Sequence, residues 1–401
     1  MNKSVCVIGL GYVGLPLALL SVEKSYTVYG LEVNEKKIES IKQNHPQILL
    51  NHSFALKSDI VIIAVPTPID ERKMPDLTDV KNACNSIAEN LDHSGRLIIL
   101  ESTVNPFVSR KFMLPIFEAK GFKEGKDFYL AHCPERIDPG NKKWDVSNIP
   151  RVVGGISDEA MKRATDFYKS IISGDVISMS SIEAAEMVKI YENSLRAVNI
   201  AFANEMAMVM QNLKLDVKEI LKGVKTKPFG LDLCYPSCGV GGHCIPVDPF
   251  YLIEESIKRG FDPRFLATAM KVNGYMPSYT VSLLMHAMND IGKSIRGSTI
   301  GILGVSYKKN VEDLRESPAL EIIKRVNSLG AIIKIYDPFI PEYSNSSSEE
   351  VLNCDAVMLL TDHDEFLSYD YSKVHVLIDG KNVLEPNKIG GVYKGIGRQK
   401  I

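Results

Sequence analysis

The stretch Ser4-Val5-Cys6-Val7-Ile8-Gly9-Leu10-Gly11-Tyr12-Val13-Gly14 decides the fold. Its apolar run reads as a buried strand, its G-x-G-x-x-G as a turn, and Leu15 to Glu23 as the helix that the turn opens. Alone, such a glycine pattern is weak; between a strand and a helix it is specific. Gly9 makes the tight turn, Gly11 admits a pyrophosphate, and Gly14 lets helix and strand pack, while the helix N-terminus faces the phosphate charge. Tyr12 and Val13 complete this cofactor turn. A second strand, Thr27 to Leu31, ends at Glu32, 18 residues after Gly14, where a carboxylate binds the adenosine-ribose hydroxyls and repels a 2'-phosphate. The cofactor expected is therefore NAD.

Working outward, the turn belongs to a chain of 401 residues, too long for one ordinary core, with 45% apolar and 24% charged residues, as in soluble globular proteins. A net charge of -2 offers no long-range attraction for nucleic acid or an anionic membrane, so any anionic ligand must be held by local groups. Seven scattered cysteines, an odd number, argue for a reducing compartment rather than a disulfide framework. Neither a signal peptide nor a membrane-spanning run is evident, and a cytoplasmic protein is expected.

Three further apolar runs, Asp59 to Val65, Arg96 to Leu100 and Phe128 to His132, break at Pro66-Thr67-Pro68, at Glu101-Ser102-Thr103 and at Cys133-Pro134-Glu135. They predict strands of a doubly wound parallel sheet, with Thr67, Thr103 and Glu135 along its carboxyl edge, where ligands bind; each could equally be a plain turn or cap residue. Ser181 to Leu213 contains no Gly or Pro and predicts one long helix joining two domains. Lys189 and Asn193, four apart, share a face of it, and some of Asn193, Asn199 and Asn204 should have specific partners. A second helix is expected over Arg264 to Met276, a linker over Lys293 to Ser298, and then a second doubly wound pattern. Its strands begin at Ser298 to Gly304 and Ile332 to Pro338, its helix runs from Ala319 to Ser328, and Ala356 to Leu360 and Val374 to Asp379 add strands. The fold class is α/β: two doubly wound Rossmann-like domains, 1–180 and 293–401, joined by a helical connector, 181–292.

Within the connector lies Gly239-Val240-Gly241-Gly242-His243-Cys244-Ile245-Pro246-Val247-Asp248. A cysteine among glycines and prolines, with a carboxylate four residues on, reads either as a positioned nucleophile or as an inert buried thiol. NAD takes hydride from an alcohol without a cysteine; a thiol is needed when an aldehyde must pass through a thioester to the acid. Zinc held by Cys234, Cys238, His243 and Cys244 lacks the usual C-x2-C spacing, so no metal is assigned, and His243, adjacent to Cys244 in an extended segment, reads as a bystander.

Together GLGYVGLP, PTP, STV, PERIDPGN, AAEMVKIYENSLRAVNIAFANE, GVGGHCIPVDPFYL and LGVSYKKNVEDLRESPA make the chain resemble the UDP-glucose/GDP-mannose dehydrogenase family, from about residue 4 to 380. The resemblance is greatest to its UDP-N-acetylglucosamine 6-dehydrogenase branch, with the N-acetylmannosamine and glucose branches as alternatives. It implies oxidation of a sugar primary alcohol to the carboxylate with two NAD. It also implies Cys244 as nucleophile and Asp248 as the residue that positions water. Lys189 and Asn193 become oxyanion stabilisers, and Glu135 and Thr103 act through a water. Tyr235, Gly241 and Lys308 are implied substrate contacts beside Glu135, Lys189 and Asn193; Thr67, Thr103 and Arg315 join the glycine turn and Glu32 as cofactor contacts. A binding protein without turnover is the rival from another class. Relatives commonly read Tyr-Pro-Gly-Pro-Gly where this chain has Tyr235-Pro236-Ser237-Cys238-Gly239, so Ser237 is expected to strain the loop or recontour the pocket if that glycine holds a positive φ or touches the substrate, and a short Asn34 to Ser58 segment is expected to trim a helix and weaken adenine-side contacts. Apolar residues on more than one side of the connector helix predict a homodimer or a multiple of dimers.

Overall fold

The computed structural model describes residues 3–70, 75–92, 94–137, 143–242 and 244–399. The chain forms two compact units, Met1–Glu192 with Phe250–Phe261, and Asn193–Pro249 with Asp262–Ile401. The first holds strands β1 (Ser4–Ile8), β2 (Thr27–Leu31), β3 (Leu49–Leu50), β4 (Ile60–Ile63), β5 (Arg96–Leu100), β6 (Phe128–His132), β7 (Arg151–Gly155) and β8 (Val176–Ser178), in the order β3-β2-β1-β4-β5-β6-β7-β8. All neighbours are parallel except β6 and β7. Helices α1 (Gly14–Glu23), α2 (Glu35–Asn44), α3 (Thr78–Asn90), α4 (Leu114–Glu118) and α5 (Asp158–Ile171) belong to this unit.

The apolar runs of β1, β4 and β5 are continuous because both faces of the sheet are covered. Val5, Val7, Ile60, Ile62, Leu97 and Ile99 enter one core, and Cys6, Val61, Ile63, Ile98 and Leu100 the other, as the two-residue period of a strand requires. The short Asn34 to Ser58 segment carries one helix of 10 residues, α2, which Asn34 caps by accepting from the Lys37 amide at 3.1 Å.

Helix α6 (Ile182–Leu213) is unbroken over 32 residues, and α7 (Val217–Val224), α8 (Asp248–Lys258) and α9 (Arg264–Asp290) follow. The sequence reading ended α9 at Met276, before Pro277. The helix instead runs 27 residues through Pro277, whose burial with Met276, Val281, Leu284, Ala287 and Met288 outweighs the lost backbone donor. The second unit's sheet, β9 (Thr299–Leu303), β10 (Ile332–Tyr336), β11 (Ala356–Leu359), β12 (Val376–Asp379), β13 (Val392–Gly395) and β14 (Arg398–Gln399), has the order β10-β9-β11-β12-β13-β14, with helices α10 (Pro318–Ser328) and α11 (Ser348–Leu352). Ile300, Ile302, Met358 and Ile378 face one core and Leu303, Val357, Leu359 and Leu377 the other, so this unit too is a doubly wound α/β layer.

The turn after β9 repeats the turn after β1. Gly304 (φ +85°) donates to the Tyr336 carbonyl at 3.0 Å as Gly9 (φ +90°) donates to Leu31 at 2.8 Å. The following acid, Asp337, accepts from Val305 and Ser306 amides at 2.7 and 3.0 Å, and His363 Nε2 lies 3.2 Å away. Because the Asn310 amide donates to Nδ1 at 2.9 Å, the ring proton belongs on Nε2 and points toward Asp337 and Ser306. Burial opposes ionisation of Asp337, but His363 and the amides outweigh it and hold the carboxyl at about 2.

A carboxyl depressed in the folded state stabilises the protein above its unfolded value, near 4, and that contribution fades as pH falls toward 2, amounting to about 2 kcal/mol. In urea denaturation, the stability gap between wild type and Asp337→Asn should therefore be widest above pH 4 and close by roughly this amount near pH 2. A gap that does not change with pH would refute the assignment.

Candidate active site

At the first glycine turn the geometry leaves room for nothing larger. A Cβ on Gly9 would lie 2.6 Å from the Ala64 carbonyl oxygen and one on Gly14 1.9 Å from that of Gly9, whereas Gly11 opens to space, with only Lys37 Nζ at 4.0 Å. Helix α1 begins at Gly14 with no acidic residue in its first turn, and the exposed Tyr12 and the Val13 backbone lead into it. Glu32 accepts from the Leu10 amide at 3.1 Å and from Val33 and Asn34 at 2.9 and 3.0 Å, which pins its carboxylate beside the turn. An unrepelled helix N-terminus, a backbone cradle and a fixed acid after β2 suit the diphosphate and adenosine ribose of NAD.

The turns at the carboxyl edge of this sheet are tied together. Thr67 Oγ1 donates to the Thr103 carbonyl at 2.8 Å, Ser102 Oγ to Val65 at 2.7 Å, and Tyr251, on α8, donates its hydroxyl to the Thr67 carbonyl at 2.5 Å. Asn105 Nδ2 donates in turn to the Tyr251 carbonyl at 3.3 Å. The Thr103 hydroxyl is bonded to no described residue and is half-buried. Glu135, 8% exposed, turns Oε1 to the amides of Arg136 and Ile137 at 2.5 and 2.6 Å and sets Oε2 3.1 Å from Arg151 Nη2. Residues 138–141 of the PERIDPGN motif lie outside the described residues.

Helix α6 brings polar groups onto its buried face. Glu186 accepts from Phe107 and Ser109 amides at 2.6 and 2.9 Å, and burial lifts its carboxyl to about 7 against those bonds. Lys189 is 8% exposed and pairs with no described residue, an arrangement that favours an anionic ligand near its ammonium. One turn on, Asn193 donates Nδ2 to Asp248 Oδ2 at 2.5 Å, both side chains being buried. Asn204 donates to Asn273 Oδ1 and accepts from the Ser237 amide, each at 3.0 Å, so the expectation of specific asparagine partners holds for Asn193 and Asn204.

In the second unit, amides of Val247 and Asp248 donate to the Cys244 carbonyl at 3.0 and 2.8 Å, so Cys244 begins the turn that opens α8 and the thiol stands one turn from the Asp248 carboxylate. Gly239 (φ +146°) and Gly242 (φ +88°) take backbone angles that a side chain resists. Each loop glycine is pressed on a neighbour: Cβ positions on Gly241 and Gly242 would lie 2.6 and 2.9 Å from Tyr307, and one on Gly239 2.6 Å from Pro318. The Gly242 amide donates to the Arg315 carbonyl at 2.9 Å, and the Arg315 guanidinium grips Asp313 at 2.7 to 3.1 Å. Half-buried Lys308 lies one residue past Tyr307, and exposed Tyr235 lines a cavity of about 310 Å³ with Lys225, Lys227 and Leu231. His243 lies outside the described residues.

Ser237 is not strained: it is absent from the positive-φ residues, its amide is taken by Asn204 and its hydroxyl donates to Gly239 at 2.8 Å. Cys238 is buried, its amide donating to Gly380 at 2.8 Å and its thiol to Leu360 at 3.6 Å. Sequence reasoning missed Tyr251, Arg151 and Glu101. Tyr251 stands in the quoted cysteine-loop motif and Glu101 directly after an apolar run, whereas Arg151 opens β7, a strand that no quoted run marks; the burial of all three depends on long-range packing.

The first unit thus carries Gly9, Gly11, Tyr12, Val13, Gly14, Glu32, Thr67, Thr103, Glu135 and Lys189, and the second Asn193, Tyr235, Gly241, Cys244, Asp248, Lys308 and Arg315. Three models of the UDP-glucose/GDP-mannose dehydrogenase family match: its NAD binding domain over residues 3–53 and 50–172, its central domain over 183–275 and its UDP binding domain over 301–386. The UDP-N-acetyl-D-mannosamine dehydrogenase of Pyrococcus horikoshii is 32% identical over 99% of this chain and 100% of its own. The UDP-N-acetyl-D-glucosamine 6-dehydrogenase of Pseudomonas aeruginosa is also 32% identical, over 96% and 98%. A solved structure of the Pyrococcus horikoshii UDP-D-ManNAc dehydrogenase superposes with a TM-score of 0.92 at 30% identity over 99% of both chains. On these grounds the chain belongs to the UDP-glucose/GDP-mannose dehydrogenase family and is an NAD-dependent UDP-sugar dehydrogenase.

Proposed function

We propose that this dehydrogenase oxidises the primary alcohol of a UDP-N-acetylhexosamine to the uronic acid in two steps joined by a covalent adduct on Cys244. The observation that carries the reading is the Cys244-to-Asp248 turn, with the Asp248 carboxylate held by Asn193 at 2.5 Å. NAD, when bound, supplies the acceptor for each hydride. Cys244 adds to the aldehyde as a thiolate to give a thiohemiacetal, whose oxidation leaves a thioester that water cleaves to the acid and free thiol. Lys189 and the Asn193 amide stabilise the oxyanion of these steps, Asp248 positions the hydrolytic water, and Glu135 and Thr103 relay protons through a second water. Lys308, Tyr235 and Gly241 contact the UDP-sugar. Thr67 and Arg315 contact the cofactor.

UDP-N-acetylglucosamine is the first candidate, on the residues that follow Pro134-Glu135-Arg136. UDP-N-acetylmannosamine is the second reading, favoured by the names of several relatives, including those of Pyrococcus horikoshii and Methanococcus maripaludis. Reaction in the cytoplasm fits NAD as oxidant and seven free thiols, and among the described residues no helix is long and apolar enough to cross a membrane.

Absorbance of NADH, followed with a panel of UDP-sugars, tests the chemistry. About two NADH should form per sugar consumed, for the N-acetylated sugars before UDP-glucose. Cys244→Ser should lose two-step turnover by at least about 100-fold while still binding NAD. Full two-step turnover by that variant would overturn the thioester route.

We also propose a homodimer, or a multiple of dimers, built on α6. Tyr191, Leu195, Phe202, Val209 and Leu213 are exposed, and at 100° per residue they fall within a 40° stripe opposite the buried face. In light scattering the wild type should run as a dimer or larger, and Phe202→Glu should shift it toward monomer without loss of helical signal. A monomeric wild type at micromolar concentration would reject the assembly.

A further inference from the structure

Beneath Glu135 lies a charge cluster that the mechanism above does not use. Strand β7 runs antiparallel to β6, pairing His132 with Gly154, and the same register carried three residues further sets Arg151 across from Glu135. Arg151 is wholly buried. Its Nη1 donates to Glu101 Oε2 at 2.9 Å, and its Nη2 lies 3.1 Å from Glu135 Oε2. Glu101, also wholly buried at the end of β5, takes the Tyr168 hydroxyl of α5 on its other oxygen. One guanidinium therefore serves two carboxylates, of which Glu101 is itself fixed from behind by Tyr168.

The Glu135 contact differs in kind from the Glu101 contact. Glu135 Oε2, Arg151 Nη2 and Arg151 Nε are buried atoms with no directed hydrogen bond, although Oε2 and Nη2 stand at ion-pair distance. A charge is neutralised there while acceptor and donor directions stay unfilled. Two to four such groups around one point are what a buried water needs. We propose that Arg151 is the positioning residue of Glu135, holding its carboxylate in place and aimed at a water, and that Glu101, braced by Tyr168, governs how much of the guanidinium Glu135 receives.

This inference rests on the reading of Glu135 as a water-mediated proton acceptor. The groups facing Glu135 are Arg151 from β7, Glu101 after β5 and Cys133 after β6, with Tyr168 of α5 behind Glu101; Arg136, beside it, is bound to Glu192 and to the Pro150 carbonyl. Among the described residues, Arg151 alone brings Glu135 a positive charge with no other directed claim on that nitrogen. Removing the competing carboxylate should therefore strengthen the hold of Arg151 on Glu135, and shortening the cation should weaken it. The two changes act in opposite directions on the basicity of one group, which a purely structural role for Arg151 would not produce.

The experiment compares wild type, Glu101→Gln, Arg151→Lys and Tyr168→Phe with NAD and the UDP-sugar that the wild type turns over. Arg151→Lys should lower turnover at least about tenfold with NAD affinity within about twofold, and move the acidic limb of the kcat profile to higher pH. Glu101→Gln should move that limb to lower pH, and Tyr168→Phe should follow it weakly in direction. Limbs that stay in place, or that shift the same way in Glu101→Gln and Arg151→Lys, would overturn the proposal. Carboxyl carbon NMR of glutamate-labelled protein, with the Glu135 signal identified by its loss in Glu135→Gln, reads the same opposite shifts without turnover. If Glu135→Gln remains fully active, the role of Glu135 in the reaction fails, while the NMR shifts still decide whether Arg151 governs its charge.

Discussion

Each sheet depends on a glycine whose amide must cross to the end of the neighbouring strand. Gly9 reaches Leu31 and Gly304 reaches Tyr336, both at positive φ, and in each case an acid directly after that strand, Glu32 or Asp337, accepts amides of the turn. The constraint is steric as well as conformational: a Cβ on Gly9 would strike the Ala64 carbonyl and one on Gly304 the Thr361 side chain, at 2.6 and 2.4 Å. No other residue meets both demands. The two turns then diverge in use. The first leaves its helix N-terminus free of acidic side chains and suited to a diphosphate, while the second closes over its own acid with His363 and Ser306.

The long helix makes the opposite compromise. An apolar buried face would have stabilised it by simple burial, yet Glu186, Lys189, Asn193 and Asn204 all lie there, each costing a few kcal/mol if left without a partner. Three of the four are bonded: Glu186 to two amides, Asn193 to Asp248, and Asn204 to Asn273 and Ser237. Lys189 pairs with no described residue. A helix that bonds three of these four groups and keeps a buried ammonium among them has given up stability for a charge at a fixed position.

Much of this was legible in the sequence because it is periodic or local. Strands β1, β2, β5 and β6 stand where the apolar runs ended, and α6 begins one residue from the expected Ser181. Long-range facts were not legible. Pro277 stops a helix by local rules and is carried through by burial against the second core. Strand β7 reverses the parallel order, and that reversal brings Arg151 to Glu135. Tyr251 acts at Thr67, 184 residues away, a distance that no periodicity spans.

Ser237 shows why a motif departure has to be weighed by its bonds. A glycine there would supply conformational freedom, and its replacement would be costly if the backbone needed a positive φ, but the positive angles fall on Gly239 and Gly242. The serine hydroxyl instead donates within the loop, to Gly239, while Asn204, Gly380 and Arg315 take the amides of Ser237, Cys238 and Gly242. Four hydrogen bonds spread along six residues leave this part of the loop little conformational entropy to lose on binding a ligand. The loop owes its shape to its partners across the second unit rather than to glycine at every turn, and for that reason Ser237 and Cys238 fit it with ordinary backbone angles and bonded amides.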